Sequence, residues 1–206
     1  LLGANISDLS AQSAELFQGD WVGEIRVAGT SAPTFVRARF TKDSVGPEAV
    51  LDLPTSQTWG MRARLSTTSE NGFAFHFPFG GDTAYVEATG LASSVDGRIR
   101  LGNRAGTLHL VHRMAYDSAF VRSLAGNYEL APHHIISMGP LDEANGWLSF
   151  FDNKTLRGGI LYALSDSTFF SGPSYGIDYP ITIRASLHRD AAGHIDDRSR
   201  SDPGEG

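Results

Sequence analysis

The stretch "FAFHFPF", residues 73–79, places a phenylalanine at every second position. Successive side chains of a β-strand point to opposite faces, so Phe73, Phe75, Phe77 and Phe79 share one face and His76 stands on the other. On a helix the same four rings would be scattered around the axis. The pattern therefore commits this segment to a sheet with one apolar side, and that sheet needs partners to cover it.

The same period runs through most of the chain. "WVGEIRV", "FVRARF", "EAVLDL", "MRARLST", "TAYVEATG", "RIRLG" and "TLHLVHR" are each of strand length. Between them lie turn-forming pieces such as "KDSVGP", "TSENG", "GGD", "SSVDG" and "GNRAG". After "MAYDSAFVRSLA" (114–125), a boundary with room for a helical turn or two, the pattern resumes in "GNYEL", "HHIISM", "GWLSFFD", "GGILYAL", "STFFSG" and "YPITIRASLH". "PLDEANG" (140–146) reads as a hairpin connection. Short strands at such even spacing predict an all-β chain, an antiparallel meander closing into a lipocalin-like β-barrel. The pattern allows one large barrel or two packed β units.

The expected organisation is a short helix over 1–17, a first barrel-like β unit over 18–114, a second β unit over 115–190 and a disordered tail over 191–206. The helix is read from Ser7 as N-cap, Asp8 in the first turn, an apolar stripe of Leu9, Leu16 and Phe17, and Gly19 as the stop. The tail is polar and carries Gly and Pro. "FQGDWVGEI" and "LAGNYELAP" both set Gly, then Asp or Asn, then an aromatic residue at the start of a strand series. They read either as a faint internal echo or as two independent uses of one turn.

With 206 residues the chain can bury a sizeable core, and a formal net charge of −6 argues against a nucleic-acid partner, which needs a clustered basic face. Arg37/Arg39, Arg62/Arg64 and Arg98/Arg100 fall at strand spacing and are expected on a solvated face. No run reaches transmembrane length, so no membrane span is expected. The absence of cysteine excludes disulfides, thiolate nucleophiles and cysteine-based zinc sites, and it fits the cytoplasm without excluding export. Because the chain begins with Leu1, localisation is only weakly constrained, and the oligomeric state is open.

Gly172-Pro173-Ser174-Tyr175-Gly176 matches the G-x-S-x-G signature of serine hydrolases. That elbow needs a parallel strand running into a helix, with the hydroxyl exposed above an α/β sheet. Here the downstream "GIDYPITIRASL" is a strand pattern containing Pro180, and a turn between strands is the better reading. Among the histidines, His109 and His112 are three apart and His133 and His134 adjacent, so on strands each pair faces opposite ways. No metal and no cofactor is expected.

The aromatic residues exceed what capping a small core requires, and a barrel of about eight strands can hold one small ligand. Strand faces nominate His76, Tyr85, Glu87, His112, His133, Trp147 and Tyr162 as ligand-binding residues. Tyr85 and Glu87 line an interior only if the opposite face, Ala84, Val86 and Ala88, packs outward. Otherwise they are solvated surface.

"GDWVGEI…LDLPTSQTWGMRARLS…YVEATGLASSVDGRIRLGN", with "LAGNYEL…ISMGPL…LSFFDNKTLRGGILYALSDSTFFSGPS", resembles the non-catalytic β-rich region that precedes the catalytic domain in some bacterial α/β-hydrolases and peptidases. In that family a W-x-G strand opens a lipocalin-like β unit, and the hydrolase chemistry belongs to a later domain. The resemblance implies an accessory β unit and supplies no catalytic residue.

The leading expectation is a barrel that binds an apolar small molecule. In its enzymatic form this is a cofactor-free cyclase, shaping a polyene or polyketide-like intermediate for ring closure by orientation and one hydrogen bond. The alternative is a non-catalytic accessory or interaction domain of a larger hydrolase.

Overall fold

The computed structural model describes residues 18–69, 71–91, 93–142, 147–165 and 167–172, with four short strand pieces between 183 and 203. The expected helix over 1–17 and Ser174 lie outside the described residues. The chain divides into two compact units, Leu1–His112 and Arg113–Gly206. In the described residues it is almost entirely antiparallel β-structure.

The first unit is a meander of β1 (Gly19–Val27), β2 (Thr34–Lys42), β3 (Pro47–Leu53), β4 (Thr58–Arg64), β5 (Ser66–Ser69), β6 (Gly72–Phe79), β7 (Asp82–Gly90), β8 (Ser94–Leu101) and β9 (Arg104–His112). A single 3-10 turn, Pro54–Ser56, links β3 to β4. The hydrogen-bonded order is β4-β3-β2-β1-β9-β8-β7-β6-β5, so β4 and β5 stand at opposite edges. Yet they are consecutive in the chain and separated only by Leu65.

One extended run over 58–69 thus pairs with β3 in its first half and with β6 in its second. At the switch, the Leu65 amide donates to the Pro47 carbonyl at 3.1 Å. The sheet is curled into a half-barrel, and this shared run joins its two edge strands.

The barrel interior follows from the alternation. Trp21, Ile25, Phe40, Leu51, Phe73, Phe75, Phe77, Val86, Ile99 and Leu110 belong to one buried cluster. Most of the large rings have a small registered neighbour: Phe40 faces Ala49, Phe73 faces Ala88, and Phe77 faces Ala84. A methyl beside each ring leaves the volume into which the ring lies, and large and small side chains interdigitate to fill the space. Phe73, Phe75 and Phe77 stack along β6 at centroid separations of 6.0 and 5.9 Å. Phe40 on β2 meets Phe73 on β6 edge-on at 5.4 Å, although these strands are not sheet neighbours. That contact crosses the lumen, so the lumen is packed at that level.

Two strands approach too closely for a side chain at one point. A Cβ on Gly23 would lie 1.9 Å from the His109 carbonyl oxygen, so only glycine permits the β1–β9 pairing at this position.

The second unit holds the helix α1 (Ser118–Ser123) and β10 (Gly126–Ala131), β11 (His134–Asp142), β12 (Trp147–Asp152), β13 (Arg157–Ala163), β14 (Thr168–Gly172), β15 (Ile183–Ser186), β16 (His188–Arg189), β17 (Ile195–Asp196) and β18 (Ser201–Pro203). Its main sheet runs β10-β11-β12-β13-β14-β15-β18. The Asp117 carboxylate caps α1 by accepting from the Phe120 amide at 2.7 Å. The apolar side of α1, Val121 with Leu124 just beyond it, joins Met138, Leu148, Leu161, Ala163 and Phe169 in a second core. The tail region contributes β17 and β18, and its remaining residues lie outside the described ones. The two Gly-[Asp/Asn]-aromatic stretches open the first strand of each unit, β1 at Gly19 and β10 at Gly126.

Candidate binding site at the barrel rim

A candidate site lies at the end of the barrel where β1 begins and β2 and β9 finish. Trp21 and His112 are registered partners across β1 and β9 and therefore share the inward face. Their rings meet edge-on at 4.9 Å. Trp21 also meets Phe40 edge-on at 6.1 Å, and Phe40 in turn meets Phe73. These three buried rings form an aromatic floor across the barrel at this end, with the imidazole at its margin.

Gly19 makes room for that imidazole. Its φ is +124°, and a Cβ there would come within 2.7 Å of His112 Nε2. An L side chain would be strained in the backbone and would also displace the ring.

Over the rim runs an open groove of about 290 Å³, lined by Gln18, Gly19, Asp20, Arg39, Phe40, Thr41 and Lys42. Asp20 and Arg39 are registered partners on β1 and β2, and the Arg39 Nε donates to Asp20 Oδ1 at 2.7 Å. This hydrogen bond, and then the carboxylate's charge, raise the Arg39 pKa further above its ordinary value. Both side chains are well exposed, so the pair adds at most about 1 kcal/mol of stability. Its larger effect is to hold the guanidinium in one place. Among the described residues Lys42 makes no ion pair.

Of the residues nominated from the sequence, four lie in the first unit and three in the second, and within the first unit His112 stands on the inner face while the other three do not. His76, Tyr85 and Glu87 stand on the outer wall of β6 and β7, with Tyr85 50% exposed, while Ala84, Val86 and Ala88 point inward. The small-residue face is the inner one because the registered phenylalanines need its space. These three residues therefore cannot line the interior. Instead, Tyr85 lies between His76, at a ring separation of 5.9 Å, and the Arg100 guanidinium, 5.4 Å from its ring.

Of the four in the first unit, only His112 stands at this end of the barrel on the inner face, against Trp21 and not among the residues that line the groove. His133 is exposed on a tight turn with φ +65°. Trp147 is partly buried at the start of β12. Tyr162 is buried on β13, with the Arg113 guanidinium 6.0 Å from its ring.

Two further histidines sit beside carboxylates. His109 Nδ1 lies 2.7 Å from Asp96 Oδ1 on the outer wall of the barrel. His134 Nε2 lies 3.0 Å from Asp152 Oδ1 in the second unit. Burial works to raise the Asp152 pKa, but amide hydrogen bonds from Lys154 and Thr155, the Thr155 side chain and the His134 charge together leave it lowered. Among the described residues no group of three or more His, Asp or Glu side chains could hold a metal ion. No helix among them is long and apolar enough to cross a membrane.

Asp20, Arg39 and Lys42 are the site residues that sequence reasoning did not nominate. Their signal is local: each belongs to the end of a strand, and Asp20 and Arg39 carry opposite charges at positions that pair across β1 and β2. Compared with known proteins, the chain matches no family model, no curated protein and no solved structure.

Proposed function

We propose that this protein is a small-molecule-binding β-barrel whose site is the rim groove. The single observation that carries the reading is a groove of about 290 Å³ at the end of the barrel where β1 begins and β2 ends, lined by Gln18, Gly19, Asp20, Arg39, Phe40, Thr41 and Lys42, with the Asp20–Arg39 pair fixed in its wall. A concave site with a few fixed polar groups is the usual form of a small-ligand site. The ligand sits at the mouth and not deep in the lumen, because the Phe40–Phe73 contact closes the lumen there.

Native mass spectrometry of the purified protein, before and after organic extraction, tests this reading. A retained small-molecule mass that extraction removes, or saturable binding of apolar ligands that shifts the unfolding temperature, is the expected result. No retained mass and no shift across a panel of such ligands would overturn it. The barrel would then stand as a packed accessory module of the kind found before hydrolase domains.

A further inference from the structure

We propose that the outer wall of the first unit, over β7 and β8, docks an acidic, extended segment of a partner protein whose carboxylates meet Arg98 and Arg100. None of the residues involved lines the rim groove. Three observations support the assignment.

Arg98 and Arg100 are exposed on one face of β8, with the buried Ile99 between them on the other. Their Cα atoms are therefore about 6.5–7 Å apart, the spacing of alternate residues in any extended peptide. The other outer-wall arginines of this unit are neutralised: Arg26 by Glu24, Arg37 by Asp52, Arg39 by Asp20, Arg62 by Glu48 and Arg64 by Asp43. Among the described residues Arg98 and Arg100 make no ion pair, although Glu87 is registered opposite Arg98. Asp96, next on the same face of β8, is engaged with His109. Two cations against the Glu87 carboxylate leave this stretch locally positive on a chain whose formal net charge is −6. Finally, the half-exposed Tyr85 is registered opposite Arg100 and carries its guanidinium 5.4 Å from the ring centre. A guanidinium stacked on a ring is held in place while its donor edge stays open to a carboxylate. The uncovered part of the Tyr85 ring offers an apolar contact beside that charge, and tyrosine with arginine is the pairing that concentrates at protein interfaces. The surface is a sheet face and not a cleft, which suits a polypeptide segment better than a small molecule.

A ¹H–¹⁵N correlation titration of the full chain tests the proposal. The probe is the capped peptide Phe-Ser-Glu-Ser-Glu-Ser-Phe, whose glutamates and phenylalanines share one face when it is extended. Its neutral counterpart carries Gln in place of both Glu. Two exposed ion pairs predict that the acidic peptide binds at least about fivefold more tightly, with shift changes centred on β7 and β8. Its advantage shrinks as salt is raised. Arg98→Gln and Arg100→Gln each reduce that advantage and leave the neutral peptide unaffected, whereas Tyr85→Ala weakens both peptides. All three side chains are exposed, and circular dichroism confirms that the variants fold.

Equal binding of the two peptides overturns the acidic character of the partner. A preference for the acidic peptide that survives both arginine substitutions, or shift changes away from β7 and β8, overturns the roles of Arg98 and Arg100. A short oligothymidylate that binds this face more tightly than the acidic peptide overturns the protein partner in favour of a single-stranded nucleic acid. Failure of both peptides to bind overturns the docking surface and leaves the groove reading standing.

Discussion

Replacing Phe75 by alanine removes the middle ring of the stack along β6. Phe75 is 5% exposed and lies 6.0 Å from Phe73 and 5.9 Å from Phe77, ring to ring. A buried aromatic side chain withdraws about 150–250 Å² from water. At ~25 cal/mol per Å² the full ring is worth about 4–6 kcal/mol, of which the alanine methyl retains a part. Two lost aromatic contacts add to the cost, and so does a cavity that rings anchored on both sides cannot collapse to fill. The expected destabilisation is therefore about 3–5 kcal/mol, the range measured for buried Phe→Ala changes.

The assay is urea unfolding with separate probes for the two units, because a chain of two compact units need not unfold in one step. The first unit's transition should move to much lower urea, and the second unit's transition is the internal control. Tyr85→Ala is the companion variant, taken from the facing strand of the same hairpin but from its outer wall. Tyr85 is 50% exposed, so its loss should cost less than about 1 kcal/mol. If Phe75→Ala costs no more than Tyr85→Ala, the lumen is not packed as described, and the argument that moves the ligand to the rim fails with it.

Gly23→Ala places a Cβ against the His109 backbone carbonyl, which cannot rotate away as a side chain would. It should cost about 2 kcal/mol or more and expose the β1–β9 amides to hydrogen exchange, whereas an unchanged exchange pattern would contradict the close approach. Gly19→Ala should shift the His112 ring resonances in NMR spectra, and unmoved resonances would place the imidazole elsewhere. Asp152 should titrate below the ordinary aspartate value of about 3.9. A carboxyl group whose folded-state pKa is lowered contributes stability that is present above the unfolded-state value and is lost as pH falls through the folded-state value. Carboxyl-carbon NMR from pH 6 downward checks this, and a midpoint at or above about 4 would contradict it.

Strand identity was legible because alternation survives in nearly every segment, most plainly in β6 and β7. The joining of the two edge strands was not. "MRARLST" reads as one strand with one set of partners, and nothing in its residues marks Leu65 as the point where pairing passes from β3 to β6. The orientation of β7 was equally hidden. Alternation separates Tyr85 and Glu87 from Ala84, Val86 and Ala88 but does not say which set faces inward. The small face becomes the inner one only through its registered phenylalanines on β6, a long-range packing relation. The rim site was obscured for the same reason. Trp21, Phe40 and His112 are far apart in the chain and are joined by strand pairing, and Lys42 joins them only because β2 ends at that rim.

The most direct test of the central claim is a ¹H–¹⁵N correlation titration with an apolar ligand, 1-naphthylacetate serving as the probe. Shift changes concentrated at Gly19, Asp20, Trp21, Arg39, Phe40, Lys42 and His112 are predicted. Changes running along Phe73, Phe75 and Phe77 into the lumen, or confined to the outer wall around His76, Tyr85 and Glu87, would contradict the rim groove as the binding site.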